Sequence, residues 1–226
     1  MILLQTDLTE VAQAVAPETS LSLFDFALKG GWVMIPIAIL SVIAVYIFVE
    51  RYFAINTASK TDINFMNRIK DYIHEGKIES AHTLCQSINN PLARMIEKGI
   101  ARIGRPLNDV SAAIENLGKL EIYKLERGLA LLATCSGAAP MIGFLGTVIG
   151  MVQSFYNIAQ AGSNIDVALL SDGIYTALIT TVFGLIVGIM AYIFYNILVA
   201  KVEMVVYKLE GNTTEFMDLL NEPVKL

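Results

Sequence analysis

The side chains that could take part in chemistry are hydroxyls inside long uncharged stretches. The apolar runs 32–49, 129–151 and 173–200 contain no Asp, Glu, Lys, Arg or His. An ionisable residue within a membrane segment is the usual sign of an ion relay, so these runs have no carboxylate of their own to carry protons. They offer Thr134, Ser136, Thr147, Thr176, Thr180 and Thr181 instead. A hydroxyl can donate and accept hydrogen bonds without adding a fixed charge.

Thr147 and Thr181 stand at the centres of two stripes of small residues. Steps of three and four residues place each stripe on one helix face. The stripes are Ser136, Pro140, Gly143, Thr147, Gly150 and Ser154, and Gly173, Ala177, Thr181, Gly184, Gly188 and Ala191. Gly146 with Gly150, and Gly184 with Gly188, also form weak close-packing motifs. Two interpretations stay open: the faces only pack helices, with each threonine bonded to its own helix, or they line a pore whose occupant supplies the missing ionisable group.

Membrane helices must hold these faces in place. The 226 residues are 55 % hydrophobic with a net charge of −5, which favours a membrane protein and argues against a nucleic-acid partner. The run 129–151 reaches about 35 Å as a helix, enough to cross a hydrocarbon core of roughly 30 Å. We expect an all-α membrane protein with three transmembrane helices and long helices extending into the cytoplasm. Because the polar part cannot bury a large core alone, we also expect a homo-oligomeric bundle.

The sequence divides into seven segments by apolar and polar patterning. They are an N-terminal segment with a short interfacial helix (1–29), transmembrane helix 1 (30–53), a cytoplasmic helical region (54–127), transmembrane helix 2 (128–156), a periplasmic loop (157–172), transmembrane helix 3 (173–200) and a C-terminal helix and tail (201–226). Within 54–127 the last helix should run into Leu129 without a clear break.

Charge predicts the orientation of the chain. Twelve of the 16 Lys and Arg residues lie in 50–127, and none lies in 155–172. The positive-inside rule then places 54–127 and the C-terminus in the cytoplasm, and the N-terminus and 157–172 in the periplasm. Glu50, Arg51 and Asn196 mark the cytoplasmic membrane boundary.

Residues 139–151, APMIGFLGTVIGM, resemble the APLLGLLGTVxGM signature of the MotA/TolQ/ExbB proton-channel family. Gly173-Ile174, Ala177-Leu178, Thr181, Gly184-Leu185 and Tyr195-Asn196 are similar to the family's third-helix pattern, and Glu50-Arg51 also fits. Three spanning helices resemble ExbB or TolQ, and most of all ExbB, rather than the four-helix flagellar stator subunit.

The resemblance implies a pentamer in the bacterial inner membrane. It would surround two helices of a smaller single-helix partner, ExbD-like or TolR-like, whose aspartate carries the proton. Proton flow would act through a TonB-like or TolA-like protein, and so energise TonB-dependent outer-membrane transport. The alternatives are a TolQ-type subunit of the Tol-Pal envelope system and a non-conducting helical scaffold.

The resemblance also assigns roles to residues. Thr147 and Thr181 correspond to pore-lining threonines, and we extend the proton pathway to Thr176, Thr180 and Ser154. The small residues expected to pack helices and face the pore are Pro140, Gly143, Gly146, Gly150, Ala177, Gly184 and Gly188. Thr176 stands where ExbB-type sequences commonly have a glutamate, which shifts the proton step to the partner and to water.

Other chemistry is not expected from this sequence. We find no nucleophile–base pair, so we do not expect an enzyme or a cofactor. His74 and His82, eight residues apart, suit solvated or capping histidines better than a metal site. Cys85 and Cys135 are too few for a disulfide framework and should be free thiols.

Overall fold

A computed structural model describes residues 30–60, 62, 64–161 and 167–221. Most of these residues lie in helices. The helices are α1 (Met34–Ala58), α2 (Phe65–His74), α3 (Ile78–Ser87), α4 (Pro91–Ile100), α5 (Leu107–Glu126), α6 (Leu129–Ala161) and α7 (Val167–Asn221). The predicted segment 1–29 with its interfacial helix, residues 162–166 of the predicted loop, and the tail 222–226 lie outside the described residues.

Three parts of the described chain are long and apolar enough to cross a membrane. They are α1, the α5–α6 stretch and α7, as judged by length and composition. This confirms the prediction of an all-α membrane protein with three spanning helices. The third of them, α7, is one unbroken helix of 55 residues that continues far beyond its apolar section.

Local sequence explains several helix ends. Asn90 caps α4, because its side-chain oxygen accepts a hydrogen bond from the amide of Ala93 at 2.6 Å. Pro91 occupies the first position of the same helix, where its missing N–H is tolerated. Pro140 lies inside α6 and cannot bond the carbonyl of Ser136. Gly188 of α7 lies against both residues, and its missing side chain permits that close approach.

The expected continuous helix from the cytoplasmic region into Leu129 is not observed. Helix α5 ends at Glu126, Arg127 adopts an extended ψ of 127°, and Gly128 has a φ of +88°. Only glycine adopts this left-handed conformation easily, and α6 then restarts with Leu132 donating to the oxygen of Gly128 at 3.1 Å. The apolar pattern continues across this break, so periodicity alone did not reveal it.

Helix α1 packs against both other spanning helices. Near its start, Val33 and Ile37 share a core with Ala139 of α6 and Val187 of α7. Towards its end, the ring of Phe48 stacks on Phe194 of α7 with centroids 4.0 Å apart. The polar helices α2–α5 bury their apolar faces against each other and against the far end of α7. This core includes Ile69, Ile96, Ile114 and Phe216.

A carboxylate that the sequence patterns did not single out, that of Glu121, is buried near the end of α5, before the break at Gly128. Glu121 is 2 % exposed and accepts hydrogen bonds from Arg94 at 2.5 Å and Lys124 at 2.7 Å. Burial works to raise the pKa of Glu121, but the hydrogen bonds and charges of Arg94 and Lys124 outweigh it and hold the pKa below its usual value. Arg51 of α1 donates to the carbonyl oxygen of Lys124 at 3.1 Å, so the cluster also holds the end of α1.

Candidate functional site

The two stripes of small residues face each other within one chain. A methyl group added at Gly143 would lie 2.8 Å from the oxygen of Thr180, and one added at Gly184 would lie 2.9 Å from the Cα of Gly143. A methyl group at Gly150 would lie 2.8 Å from the Cβ of Ala177. Helices α6 and α7 therefore touch backbone to backbone, in antiparallel directions. Pro140, Gly143, Gly146, Gly150, Ala177, Gly184 and Gly188 all lie along this contact.

Thr180 and Ser154 lie inside the contact between α6 and α7. Each is only 1 % exposed. Thr180 donates to the oxygen of Ala177 at 2.7 Å and also lies 3.3 Å from the oxygen of Gly143, while Ser154 donates to the oxygen of Gly150 at 2.9 Å. Assembly of several copies can only remove further surface from them. Both hydroxyls are thus part of the packing within one chain. Their positions match the first interpretation of the stripes, in which the faces only pack helices.

Thr147 and Thr181 are half-buried and belong to neighbouring turns of the contact between α6 and α7. The hydroxyl of Thr181 donates across the helix pair to the oxygen of Gly143 at 3.0 Å. In an α-helix that same oxygen accepts the amide hydrogen of the residue four positions on, which is Thr147. The hydroxyl of Thr147 donates to the oxygen of Phe144 at 2.6 Å on its own helix. The two threonines therefore lie at the same level of the membrane section.

Both threonines stand on the edge of the helix pair that faces away from α1. Successive residues are about 100° apart around a helix, so Thr147 faces a different direction from Gly146. Gly146 lies against Val33, which directly precedes α1. By the same argument, Thr181 faces a different direction around α7 from Val187, which packs on α1. The neighbours of the two threonines on this edge are exposed and apolar, and they are Phe144, Met151, Leu178 and Leu185. We call this edge the threonine groove.

Thr176 does not belong to the threonine groove. It precedes Thr181 by five residues, which places the two side chains about 140° apart around α7. Its direction is close to that of Phe183, which packs towards α1. The structure therefore brings Thr147 and Thr181 together and leaves Thr176 on another side of the same helix.

Of the predicted boundary residues, Arg51 ties α1 to α5. Arg51 forms an ion pair with Glu50 and also reaches the carbonyl of Lys124 in α5. One residue further on, the ring of Tyr52 lies 4.5 Å from the Nζ atom of Lys201 in α7. Asn196 is exposed and donates to the oxygen of Tyr192 on its own helix at 2.8 Å. Basic side chains thus collect where all three long helices leave their apolar sections.

The threonine groove combines an apolar surface with two hydroxyls. An apolar helix from another chain could lie in it, since lipid-depth helices associate through close packing and a few polar contacts. A hydroxyl can donate to a carboxylate and accept from a protonated carboxyl group. Among the described residues, no group of three His, Cys, Asp or Glu side chains is placed to hold a metal ion.

Comparison with known proteins adds independent information. A model of the MotA/TolQ/ExbB proton channel family matches residues 87–211, which is more than half of the chain. An ExbB homologue of Methanothermobacter thermautotrophicus is 33 % identical over 60 % of this chain, and an ExbB-like protein of Synechocystis is 28 % identical over 79 % of it. The Tol-Pal system protein TolQ of Pseudomonas aeruginosa is 36 % identical over 46 % of the chain. The matches cover 47 %, 71 % and 45 % of these three proteins, so the chain spans about half the length of two of them.

Proposed function

This chain belongs to the MotA/TolQ/ExbB proton channel family, and from that premise we propose that it is the channel subunit of an ExbB–ExbD-type motor in the inner membrane. Several copies, five by the family resemblance, surround the helices of a smaller ExbD-like or TolR-like partner. Proton flow along this assembly energises a TonB-like protein and so drives transport across the outer membrane. The relatives named ExbB support this choice.

One observation carries the proposal: Thr147 and Thr181 lie together on the edge of the α6–α7 pair opposite α1. If copies are arranged with α1 outermost in the lipid, the threonine groove of every copy faces the central axis. The pore then presents paired hydroxyls at one level, inside a wall that is otherwise apolar near them. Thr180 and Ser154 stay within each subunit, so the proposed pathway narrows to Thr147 and Thr181.

The partner supplies the ionisable group in this mechanism. A proton moving through a potential of 100 mV releases about 2.3 kcal/mol, while a lone carboxylate at mid-membrane costs roughly 2.5–3.5 kcal/mol on insertion scales. Hydroxyls and water near the carboxylate lower that cost. The partner's aspartate can therefore release its proton to water beside the hydroxyls of Thr147 and Thr181, and water then delivers the next proton to it. Thr176 contributes no charge to this step.

Reconstitution tests the proposal. The chain is co-purified with its small partner, placed in vesicles, and proton flux is followed with a pH-sensitive dye under an imposed potential. We expect flux that falls several-fold with Thr147→Val and is abolished when the partner's aspartate is neutralised. The matched control is Thr134→Val, because Thr134 is exposed and bonded only to Ala130 on its own helix among the described residues. Full flux from Thr147→Val, or flux without the partner's acid, contradicts the proposal.

A TolQ-type role is the second candidate, since the relative in Pseudomonas aeruginosa carries that name. The two roles share the same channel and differ in the process that it drives. Deletion of the gene should impair growth on scarce iron if the chain serves nutrient import, and should cause envelope leakage and division defects if it serves the Tol-Pal system. A non-conducting scaffold predicts no proton flux at all.

The proposed orientation places the N-terminus and the segment around residues 157–172 in the periplasm, and the cytoplasmic helices and C-terminus inside. The support is the concentration of Lys and Arg in 50–127 and their absence from 155–172. A cysteine at exposed Gln160 should react with an impermeant maleimide in intact spheroplasts, whereas one at exposed Lys98 should react only after lysis.

A further inference from the structure

The carbonyl oxygen of Lys124, near the end of α5, has two competing donors. In a continuous helix it would accept the amide hydrogen of Gly128, four residues further on. The break between α5 and α6 turns that amide aside, because Arg127 has a ψ of 127° and Gly128 has a φ of +88°. The guanidinium of Arg51 donates to the oxygen instead, at 3.1 Å. A side chain of α1 thus replaces the helical hydrogen bond that the break removes.

Helix α1 supports this broken form at two neighbouring points. One turn before Arg51, Ile47 is buried, and its Cγ2 atom would lie 3.4 Å from a methyl group added at Gly128. The side chain of Arg51 itself is only 14 % exposed, and the carboxylate of Glu50 pairs with it. A cation near the C-terminus of a helix also interacts favourably with the helix dipole. The broken form therefore has a held, charged donor on the carbonyl that the helix leaves free.

The packing around the break is also compatible with a continuous helix. Leu125, Leu129 and Leu132 are buried on both sides of it, and their spacing of four and three residues is that of one helix face. The other side consists of exposed residues, at 126–127 and 130–131, so no described part of the chain blocks it. A helix through this point needs a changed backbone mainly at Gly128, and glycine adopts both conformations.

We infer that the joint between α5 and α6 is a two-state element, in which Arg51 and the amide of Gly128 compete for the oxygen of Lys124. In the broken form Arg51 holds the oxygen, and α5 and α6 are separate helices. In the continuous form the amide of Gly128 holds it, Arg51 is released, and the two helices become one rod. Such a change between discrete arrangements moves the bundle of α2–α5 relative to the membrane section. The inference goes beyond the proposed function and does not rest on it.

Hydrogen exchange tests the competition in the full chain, purified in detergent. The break leaves the amides of residues 128–131 without helical acceptors, and the hydrogen bonds of α6 begin with Leu132. A continuous helix would protect all four amides. Arg51→Met removes the donor of the broken form at similar side-chain length, while Gly128→Ala disfavours a positive φ and favours the helix. Each variant should therefore slow exchange at residues 128–131 several-fold.

Three control variants separate the competition from general effects of charge and volume. Arg51→Lys keeps a cationic donor, so exchange at residues 128–131 should stay near that of the native chain. Arg68→Gln removes an exposed guanidinium from α2, and Gly137→Ala adds a methyl group to α6 where nothing lies within 4 Å. Neither should change exchange at the joint. Unchanged exchange along α4, measured on the same samples, shows that a variant retains the fold.

The response of Arg51→Met decides the outcome. Slower exchange at residues 128–131 in both Arg51→Met and Gly128→Ala supports the competition. Unchanged or faster exchange in Arg51→Met means that water, not the amide of Gly128, takes the released oxygen, and this overturns the inference. Slower exchange in Gly128→Ala alone also overturns it, because helix propensity then explains the whole effect.

Discussion

The hydroxyl of Thr181 donates to the backbone oxygen of Gly143 at 3.0 Å, across a close contact between α6 and α7. Its chain neighbour Thr180 reaches the same oxygen at 3.3 Å from the buried side of the pair. Two adjacent threonines thus use one carbonyl from opposite sides. Only Thr181 also borders the threonine groove.

The adjacent threonines should respond differently to loss of the hydroxyl. Thr181→Val is expected to leave the fold and the oligomer intact and to lower proton flux several-fold, because it removes a hydroxyl from the groove. Thr180→Val keeps the buried volume, loses hydrogen-bond energy of about 1 kcal/mol, and should leave flux near normal. Flux in vesicles and size-exclusion profiles measure the two effects. Equal flux from both variants would place the pathway elsewhere.

Gly184→Ala should separate the helix pair. Its added methyl group would meet the oxygen of Ala139 at 2.7 Å and the Cα of Gly143 at 2.9 Å, and backbone atoms cannot turn aside as a flexible side chain can. We expect a loss of about 1–3 kcal/mol in the free energy of unfolding. Thermal unfolding in detergent measures it. Gly137→Ala on α6 is the control, since nothing lies within 4 Å of the added methyl group there, and it should be neutral or slightly stabilising.

Glu121→Gln should weaken the bundle of polar helices α2–α5 at neutral pH. It removes the charge that Arg94 and Lys124 share, at an expected cost of about 1.5–3 kcal/mol. Because the folded-state pKa of Glu121 is lowered, its stabilisation is present above the ordinary value of 4.5 and is lost as the pH falls through the folded-state pKa. Melting temperatures of the native chain and the variant should therefore converge in acid.

The control for the Glu121 variant is Glu115→Gln on the same helix. Glu115 pairs with Lys119 at 2.8 Å, but both side chains are well exposed. Water and salt screen such an exposed pair, so the control should change the stability little. A loss at Glu115 as large as that at Glu121 would show that burial of the carboxylate is not what matters.

Cys85 should resist alkylation in the folded chain. Its thiol is 1 % exposed, and burial, with the nearby charge of Glu97, raises its pKa to about 12. The thiolate is the reactive form, so little of it exists near neutral pH. Intact mass after maleimide treatment should show no label on Cys85 until denaturant is added. A cysteine at neighbouring exposed Gln86 should label at once, and rapid labelling of Cys85 itself would contradict its burial.

The sequence was sufficient to predict the helical class, the three spanning helices and the family. Each depends on long-range composition or on a dense motif, and Ala139–Met151 has both. The stripes were also visible, because helical spacing is a local property. Whether the two stripes face each other or a third molecule depends on long-range packing, which the local spacing of residues does not determine. The contact of Gly143 with Gly184 shows only that they face each other within a single chain.

Three features were not predicted from the sequence, each for a definite physical reason. Thr180 and Thr181 look equivalent as letters, and only the rotation of α7 against α6 separates their surroundings. The break at Gly128 was hidden because apolar residues continue on both sides of it. Glycine after a charged residue was the signal that could have revealed it. Glu121 in a stripe of apolar residues was a similar sign of a buried ion pair.

The unequal construction of α6 and α7 has a mechanical consequence. Helix α7 is a single rod of about 80 Å, whereas the path through α6 and α5 has a joint at Gly128. A tilt imposed on the membrane section of α7 therefore also moves the far end of the same helix. The same tilt imposed on α6 can be absorbed at the joint before it reaches α5, whereas the far end of α7 shares a core with Ile114 of α5 and acts on that bundle directly.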